Sequence, residues 1–321
     1  MDNILDVNHL RVYFDTRYGE VRAVDDVSFA LRNGESLCLV GESGCGKTTI
    51  ALSILRLLDS PPGRIVGGEI LYGGLDLLRC PGDRLRQIRG NRIAMIFQDP
   101  QSSLNPVLTV GDQVAEPIRF HLRLERREAI KRAAGLMEQV GIPRARERVK
   151  DYPHQFSGGM KQRVMIATAL SCNPELLIAD EPTTALDTTV KAQILEIFQG
   201  LKQERNMSLL FITHDLGTVA GIADRIVVMY GGKIVEAGAM LDIFDQPRHP
   251  YTRGLLNCLP SISAKKGRLT QIPGMIPSLI NPPQGCIFHP RCERRMPICQ
   301  KDSPEKTVVS GEHTVVCHLY S

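Results

Sequence analysis

Apolar and polar residues alternate in ILDVNHLRVYF, residues 4–14, and again in VRAVDDVSFAL, residues 21–31. A period of two sends successive side chains to opposite faces, so both segments are predicted as half-buried strands. Gly19 separates them and the Asn33-Gly34 pair follows the second, which are turn signals where turns are needed. The next segment, SLCLVG at 36–41, is apolar without alternation, as expected of a strand covered on both faces. RIAMIF (92–97), ELLIAD (175–180), SLLFIT (208–213) and RIVVMY (225–230) have the same character. Apolar spacing near the helical period predicts helices at about 47–58, 126–140, 160–171 and 190–204. Strands alternating with helices imply an α/β fold on a largely parallel sheet. Residues from about 100 to 158 lack strand patterning and read as a helical insertion. Beyond 245 prolines and cysteines concentrate and periodicity fades. Residues 245–321 are therefore expected to form an irregular extension of a main domain spanning 1–244.

Composition narrows the setting. Lys and Arg number 39 against 35 Asp and Glu, a net charge of only +4, so no broad positive field points to nucleic acid and no nucleic-acid partner is expected. The first residues, MDNILDVNHLRVYF, show no basic stretch followed by an apolar run, so a secretory signal is not expected there. No window approaches the roughly 18 unbroken apolar residues of a membrane span. A cytosolic chain is expected, one that docks on a membrane partner if it meets the membrane at all. In that compartment nine cysteines argue against a disulfide framework.

The strongest local chemistry is GESGCGKT at 41–48, which fits G-x-x-x-x-G-K-[ST] between a buried strand and a helix. Glycines let the backbone wrap so that several amides face phosphate oxygens, and the helix end adds its positive pole. Gly41, Ser43, Gly44, Cys45, Gly46, Lys47, Thr48 and Thr49 are the candidate nucleotide-binding residues. Lys47 supplies a mobile cation for the β- and γ-phosphates, and Thr48 a hydroxyl for Mg²⁺. The helix end is also expected to lower the pKa of Cys45. A carboxylate at the end of a buried strand is the usual second half of such a site. LLIADEP (176–182) offers Asp180 for the Mg²⁺ shell and Glu181 to polarise an attacking water.

Three further segments carry a resemblance. FSGGMKQR (156–163) resembles the signature motif of the ATP-binding cassette family. Gln98 and His214 follow buried strands as that family's Q-loop glutamine and switch histidine do, and TALD (184–187) looks like its D-loop. With the two phosphate-site motifs in the family's order, the chain is identified as a member. The resemblance implies a P-loop NTPase cassette, with a RecA-like core, a β-subdomain and a helical insertion. It implies two subunits stacked head to tail over two ATP molecules, each with Mg²⁺ held by Thr48, Gln98 and Asp180. Glu181, His214 and Gln98 would be catalytic. Ser157, Gly158 and Gly159 would cap the nucleotide on the partner, and Asp187 would cross the interface. Adenine would stack on an early aromatic, with Phe14 preferred by spacing over Tyr13 and Tyr18. One departure stands out: Phe156 and Met160 occupy positions where the family usually has Leu and Gln.

Within the family, FQDPQSSLNPVLTVGDQVAEP (97–117) and YPHQFSGGMKQRVMIA (152–167) resemble the peptide and nickel importer group, the second resembling its D-type ATPase. RHPYTRGLL (248–256) and the cysteine-bearing tail are similar to that group's C-terminal extension. This implies a heterodimer with a second ATPase, two permease subunits and an extracytoplasmic binding protein, at the cytoplasmic face of the membrane. Peptide import is the leading expectation. Import of nickel or another small solute, and a non-transport cassette ATPase acting on nucleic acid or ribosomes, are the alternatives. Cys286, Cys292, Cys299 and Cys317 are spaced C-x5-C-x6-C-x17-C, wider than zinc ribbons and fingers use. Spacing leaves open a cluster, zinc with His289, His313 or His318 as further ligands, and plain packing of the kind expected for Cys38 and Cys172. The importer group includes members with a [4Fe–4S] cluster in this extension, so the resemblance favours that cluster.

Overall fold

The computed structural model describes residues 2–184, 186–259 and 271–321. Ala185, in the expected D-loop, and residues 260–270, in the expected extension, lie outside them. In chain order the elements begin β1 (Asn3–Thr16), β2 (Gly19–Arg32), β3 (Ser36–Val40), α1 (Lys47–Ile54), β4 (Gly63–Tyr72), β5 (Leu75–Asp76), α2 (Gly82–Ile88) and β6 (Ile93–Ile96). They continue with α3 (Pro100–Ser103), α4 (Val110–Leu122), α5 (Arg126–Gln139), α6 (Ala145–Arg148), α7 (Gly158–Ala169), β7 (Leu176–Asp180), α8 (Thr188–Arg205) and β8 (Ser208–Thr213). The last are α9 (Leu216–Val219), β9 (Arg225–Tyr230), β10 (Lys233–Ala239), α10 (Met240–Asp245), α11 (Pro250–Asn257), β11 (Lys306–Ser310) and β12 (His313–Val316). Among the described residues no helix is long and apolar enough to cross a membrane.

The described chain divides into two compact units. One comprises Arg79–Phe211 with Arg32–Glu35. Here β6 and β7 run parallel, from Ile93 opposite Leu176 to Ile96 opposite Ala179, and β8 adjoins β7. The expected helical insertion is present: α4 and α5 pack on each other and on α7. Ala129, Ala133 and Ala134 are buried on α5, and side chains this small let the helices approach closely. Thr109 starts α4 by accepting the Asp112 amide at 3.2 Å.

The other unit comprises Asn3–Leu31, Ser36–Leu78 and Ile212–Ser321. It holds an antiparallel sheet in the order β2-β1-β4-β5, whose inner face buries Leu5, Val7, Leu10 and Val12. A second run of strands has the order β11-β12-β10-β9-β3. Within it β3 and β9 are parallel, with Leu37 opposite Arg225 and Val40 opposite Val228. The other pairs are antiparallel. A largely parallel sheet is therefore right for the buried strands that flank the helices and wrong for what is added to them.

Four elements differ from expectation for local reasons. Strand β4 is interrupted by glycines in GRIVGGEILY, which hides its period. Helix α1 stops at Ile54, four residues early, because Arg56 adopts a left-handed conformation with φ of 50°. The short helix α2 carries no apolar stripe long enough to register. The extension is not irregular throughout: α11 forms at Pro250–Asn257, and β12 pairs with β10, placing Val315 opposite Glu236, with β11 completing a hairpin.

That hairpin is anchored by Glu236, which is fully buried. Its carboxylate accepts the Arg248 amide at 2.6 Å, the His249 amide at 2.9 Å and His313 Nε2 at 2.8 Å. Removing the carboxylate strands three donors at a fully buried position. Glu236→Leu is expected to cost about 3–5 kcal/mol, the usual penalty for breaking a buried charged network. Urea unfolding of the full chain checks it, with Glu305→Ala on the exposed approach to β11 as the neutral reference.

Candidate nucleotide site

Strand β3 is buried along its whole length and delivers the chain into the 41–48 loop. The loop can close this tightly only with glycine at two positions. A Cβ on Gly41 would run into the carbonyl of Met229 in β9, and one on Gly46 into the carbonyl of Ala23 in β2. Gly46 also takes a φ of 101° as the residue from which α1 starts, and no side chain caps that end. The Lys47 ammonium lies inside the loop, donating to the carbonyls of Gly41 at 2.7 Å and Glu42 at 3.1 Å. The Cys45 carbonyl accepts the Gly232 amide from the β9–β10 turn at 3.2 Å. Ser43, Gly44 and Thr48 are exposed, Thr49 half-buried. Amides and hydroxyls at the open side, carbonyls tied off at the back and a cation within make a cradle for phosphates.

The expectation of a lowered Cys45 pKa does not hold. Burial pushes the thiol up, and the Lys47 ammonium, 3.7 Å from Sγ, opposes this without winning. Cys38 and Cys172 are buried, as packing residues would be.

At the end of β7, Asp180 and Glu181 are both buried. Glu181 has a φ of 46°, a conformation that costs a residue with a side chain about 1–3 kcal/mol and is held only where surroundings enforce it. Here Gln98 Nε2 donates to Glu181 Oε2 at 3.1 Å and Thr184 Oγ1 to the same oxygen at 2.9 Å. Two of the expected catalytic residues, Gln98 and Glu181, are thus in direct contact. His214 follows β8 as an exposed residue, and Asp215 beside it caps α9 through the Gly217 amide.

Ser157 caps α7, accepting the Met160 amide at 3.4 Å, and Asp187 caps α8, accepting the Val190 amide at 2.9 Å. Gly159 faces Val190, so the starts of α7 and α8 lie side by side. The two unusual signature residues share one neighbour. The Arg148 guanidinium sits 4.3 Å over the Phe156 ring and donates to Met160 Sδ at 3.5 Å, while Asp151 and the Gln155 carbonyl hold it in place. Sequence spacing gave no sign of Arg148.

Of the early aromatics, Tyr13 donates its hydroxyl to Asp25 at 3.1 Å, and Tyr18 is exposed at the β1–β2 turn with Arg17 over its ring. Phe14 is half-buried with its ring against Gly63.

In the extension Cys286, Cys299 and Cys317 are buried and Cys292 half-buried. The Cys286 amide bonds the Cys299 carbonyl at 2.9 Å. Cys299 Sγ accepts the Met296 amide at 3.4 Å. Burial pushes the Cys286 thiol up to about 11, and its three companions add to the rise. Burial likewise raises Cys292 and Cys317. The histidines offered as alternative zinc ligands are engaged elsewhere: His289 with the Cys286 carbonyl, His313 with Glu236, His318 with the Asp302 carbonyl. Among the described residues no three His, Cys, Asp or Glu are grouped as a single metal ion would need.

An ion pair joins the extension to the phosphate loop. The Arg291 guanidinium grips the Glu42 carboxylate at 2.6 and 3.0 Å. The motif pattern marks Glu42 only as a variable position, and nothing near Arg291 in sequence flags it.

Comparison with known proteins agrees with this geometry. A profile of the ABC transporter family matches residues 24–184, and one of the oligopeptide/dipeptide transporter C-terminal region matches 235–299. The dipeptide transport ATP-binding protein DppD of Bacillus subtilis is 49% identical over 319 residues, covering 99% of this chain and 95% of DppD. The oligopeptide transport ATP-binding protein AppD of the same organism is 48% identical, covering 100% and 98%. A putative peptide import ATP-binding protein of Brucella melitensis is 50% identical, covering 98% and 96%. Among solved structures, the dimeric ATP-binding cassette MJ0796 in a post-hydrolysis state with ADP and phosphate superposes with a TM-score of 0.67 at 26% identity, covering 74% of this chain and 98% of that one. The chain belongs to the ABC transporter family, among its ATP-binding proteins that carry the oligopeptide/dipeptide transporter C-terminal region.

Proposed function

We propose that this chain is the ATP-hydrolysing subunit that powers an importer of dipeptides or oligopeptides, docked on the cytoplasmic face of the cell membrane. The observation that carries the reading is similarity along almost the whole chain to proteins named for dipeptide and oligopeptide transport. In this reading residues 1–244 are the cassette and 245–321 the extension. The 41–48 loop holds ATP, with Lys47 on the phosphates, Thr48 and Asp180 around Mg²⁺ and Phe14 against adenine. Glu181 takes the proton of the attacking water. Its carboxylate is aimed by Gln98 and Thr184, and His214 contacts the γ-phosphate. Ser157 can donate its hydroxyl to a partner's phosphate while its lone pair still accepts the Met160 amide. Asp187 reaches across the interface between the two ATPases.

The partners follow from the likeness to peptide-transport ATP-binding proteins. A second, different ATPase completes the pair, two permeases form the pathway, and an extracytoplasmic protein delivers substrate. Exposed apolar side chains support a permease docking place: Phe97, Val107, Leu108 and Phe120 lie in and beside the 97–117 segment.

Cys286, Cys292, Cys299 and Cys317 would hold a [4Fe–4S] cluster. The donor chemistry suits it: four cysteine sulfurs, one of which, Cys299 Sγ, already accepts a backbone N–H from Met296. Such a group, when bound, supplies a covalent cross-link that steadies a segment with little core of its own.

Two outcomes are expected. In the complex assembled with its partner ATPase and permeases, Glu181→Gln should retain ATP binding and lower this subunit's turnover about 10²–10⁴-fold, the range of a lost general base. Single-turnover ATP hydrolysis checks it, and wild-type turnover would remove Glu181 from the role. The chain purified without oxygen should be brown and carry about four irons and four acid-labile sulfides, both lost in Cys292→Ser. Stoichiometric zinc, or no metal in a folded ATP-binding chain, would overturn the cluster.

A further inference from the structure

Arg291 lies inside the segment bounded by Cys286 and Cys292, and its side chain is 4% exposed. A guanidinium has five N–H donors. Each is used here. Nε donates to the Pro273 carbonyl at 3.0 Å. Nη1 donates to Glu42 Oε2 at 2.6 Å and to the Tyr230 hydroxyl at 3.3 Å. Nη2 donates to Glu42 Oε1 at 3.0 Å and to the Ile272 carbonyl at 3.3 Å. Three of the five contacts fix Arg291 to the extension and to β9. The other two clamp Glu42, the second residue of the phosphate loop.

The loop is held from the same side twice more. The Tyr251 hydroxyl of α11 accepts the Glu42 amide at 2.9 Å. The β9–β10 turn, whose Gly232 amide takes the Cys45 carbonyl, is backed by Ile287, which leaves no room for a Cβ on Gly231. Phe288 packs on Tyr230 and Tyr251 with ring centroids 5.1 and 5.4 Å apart. Ile287, Phe288 and Arg291 therefore reach the loop's supports from one five-residue stretch between two cysteines. A fork of this kind orients as well as attracts, and a lysine in its place would keep the charge without the geometry.

We propose that Arg291 is a positioning residue for nucleotide binding: through Glu42 it holds the 41–48 loop in its phosphate-ready shape, so that the cysteine-bearing segment sets this subunit's affinity for ATP. The proposal rests on the reading of that loop as the nucleotide site. Arg291 does not itself touch the phosphates. Its loss therefore weakens binding while leaving the chemistry of bound ATP unchanged.

The test is titration of the full-length chain with a fluorescent ATP analogue, together with ATP turnover of the assembled complex. Arg291→Met should raise the dissociation constant and the KM for ATP about 10- to 100-fold, the scale of a loosened positioning contact, with kcat at saturating ATP retained. Arg291→Lys should recover part of the loss, and Glu42→Gln, which releases the loop while Arg291 keeps its other partners, should shift KM in the same direction. A wild-type dissociation constant in Arg291→Met, with or without a lower melting temperature, would overturn the proposal, as would a fall in kcat at unchanged KM. Should Arg291→Met not fold, unchanged ATP affinity in both Arg291→Lys and Glu42→Gln would overturn it equally. Lys47→Ala separates the two readings: ATP binding untouched by that change would sink the nucleotide loop itself.

Discussion

A backbone loop that offers its amides to an anion must send its carbonyls elsewhere, or they repel what the amides attract. Every other feature of the phosphate loop serves that requirement. The carbonyls of Gly41 and Glu42 turn onto the Lys47 ammonium, and that of Cys45 onto the Gly232 amide. Gly41 and Gly46 are the positions at which the chain must pass close to the backbone of β9 and β2 for those turns to be made. Of the strands that supply this backing, β9 is buried almost throughout and β2 is buried at Ala23 and Val24, where it meets the loop, which is why a loop with little packing of its own keeps one shape.

The Glu181 carboxylate illustrates the same trade at a different scale. Its left-handed backbone is unfavourable alone, yet it brings one oxygen under both Gln98 and Thr184. Strain at one residue is tolerated because β7 is buried along its length and resists relaxation. Two donors on one oxygen fix the direction of the carboxylate.

What sequence made legible was whatever is local. Period-two and unbroken apolar runs found β1, β2, β3, β6, β7, β8 and β9, because burial on one or both faces leaves its mark within a few residues. The motif residues were legible for the same reason: Lys47, Asp180, Glu181 and Ser157 owe their positions to the strand or helix end they sit on. Strand β4 was lost to its glycines. The hairpin β11–β12 was lost because its partner β10 lies far back in the chain and its own pattern is half exposed. Arg148 and Arg291 were illegible for a deeper reason. A buried arginine is recognised by what surrounds it, and Glu42 is 249 positions away from Arg291. The expected pKa shift of Cys45 failed in the same way, since a helix end is local but desolvation is not.

The distance along the chain between Glu42 and Arg291 also has a meaning in time. A ribosome completes the phosphate loop early and its brace late, reaching Arg291 249 positions after Glu42. At about 5–20 residues per second the interval is roughly 12–50 s. For that interval the nascent cassette carries a loop whose glutamate has no guanidinium to meet. With the role proposed for Arg291, an interrupted chain lacks the brace of its phosphate loop.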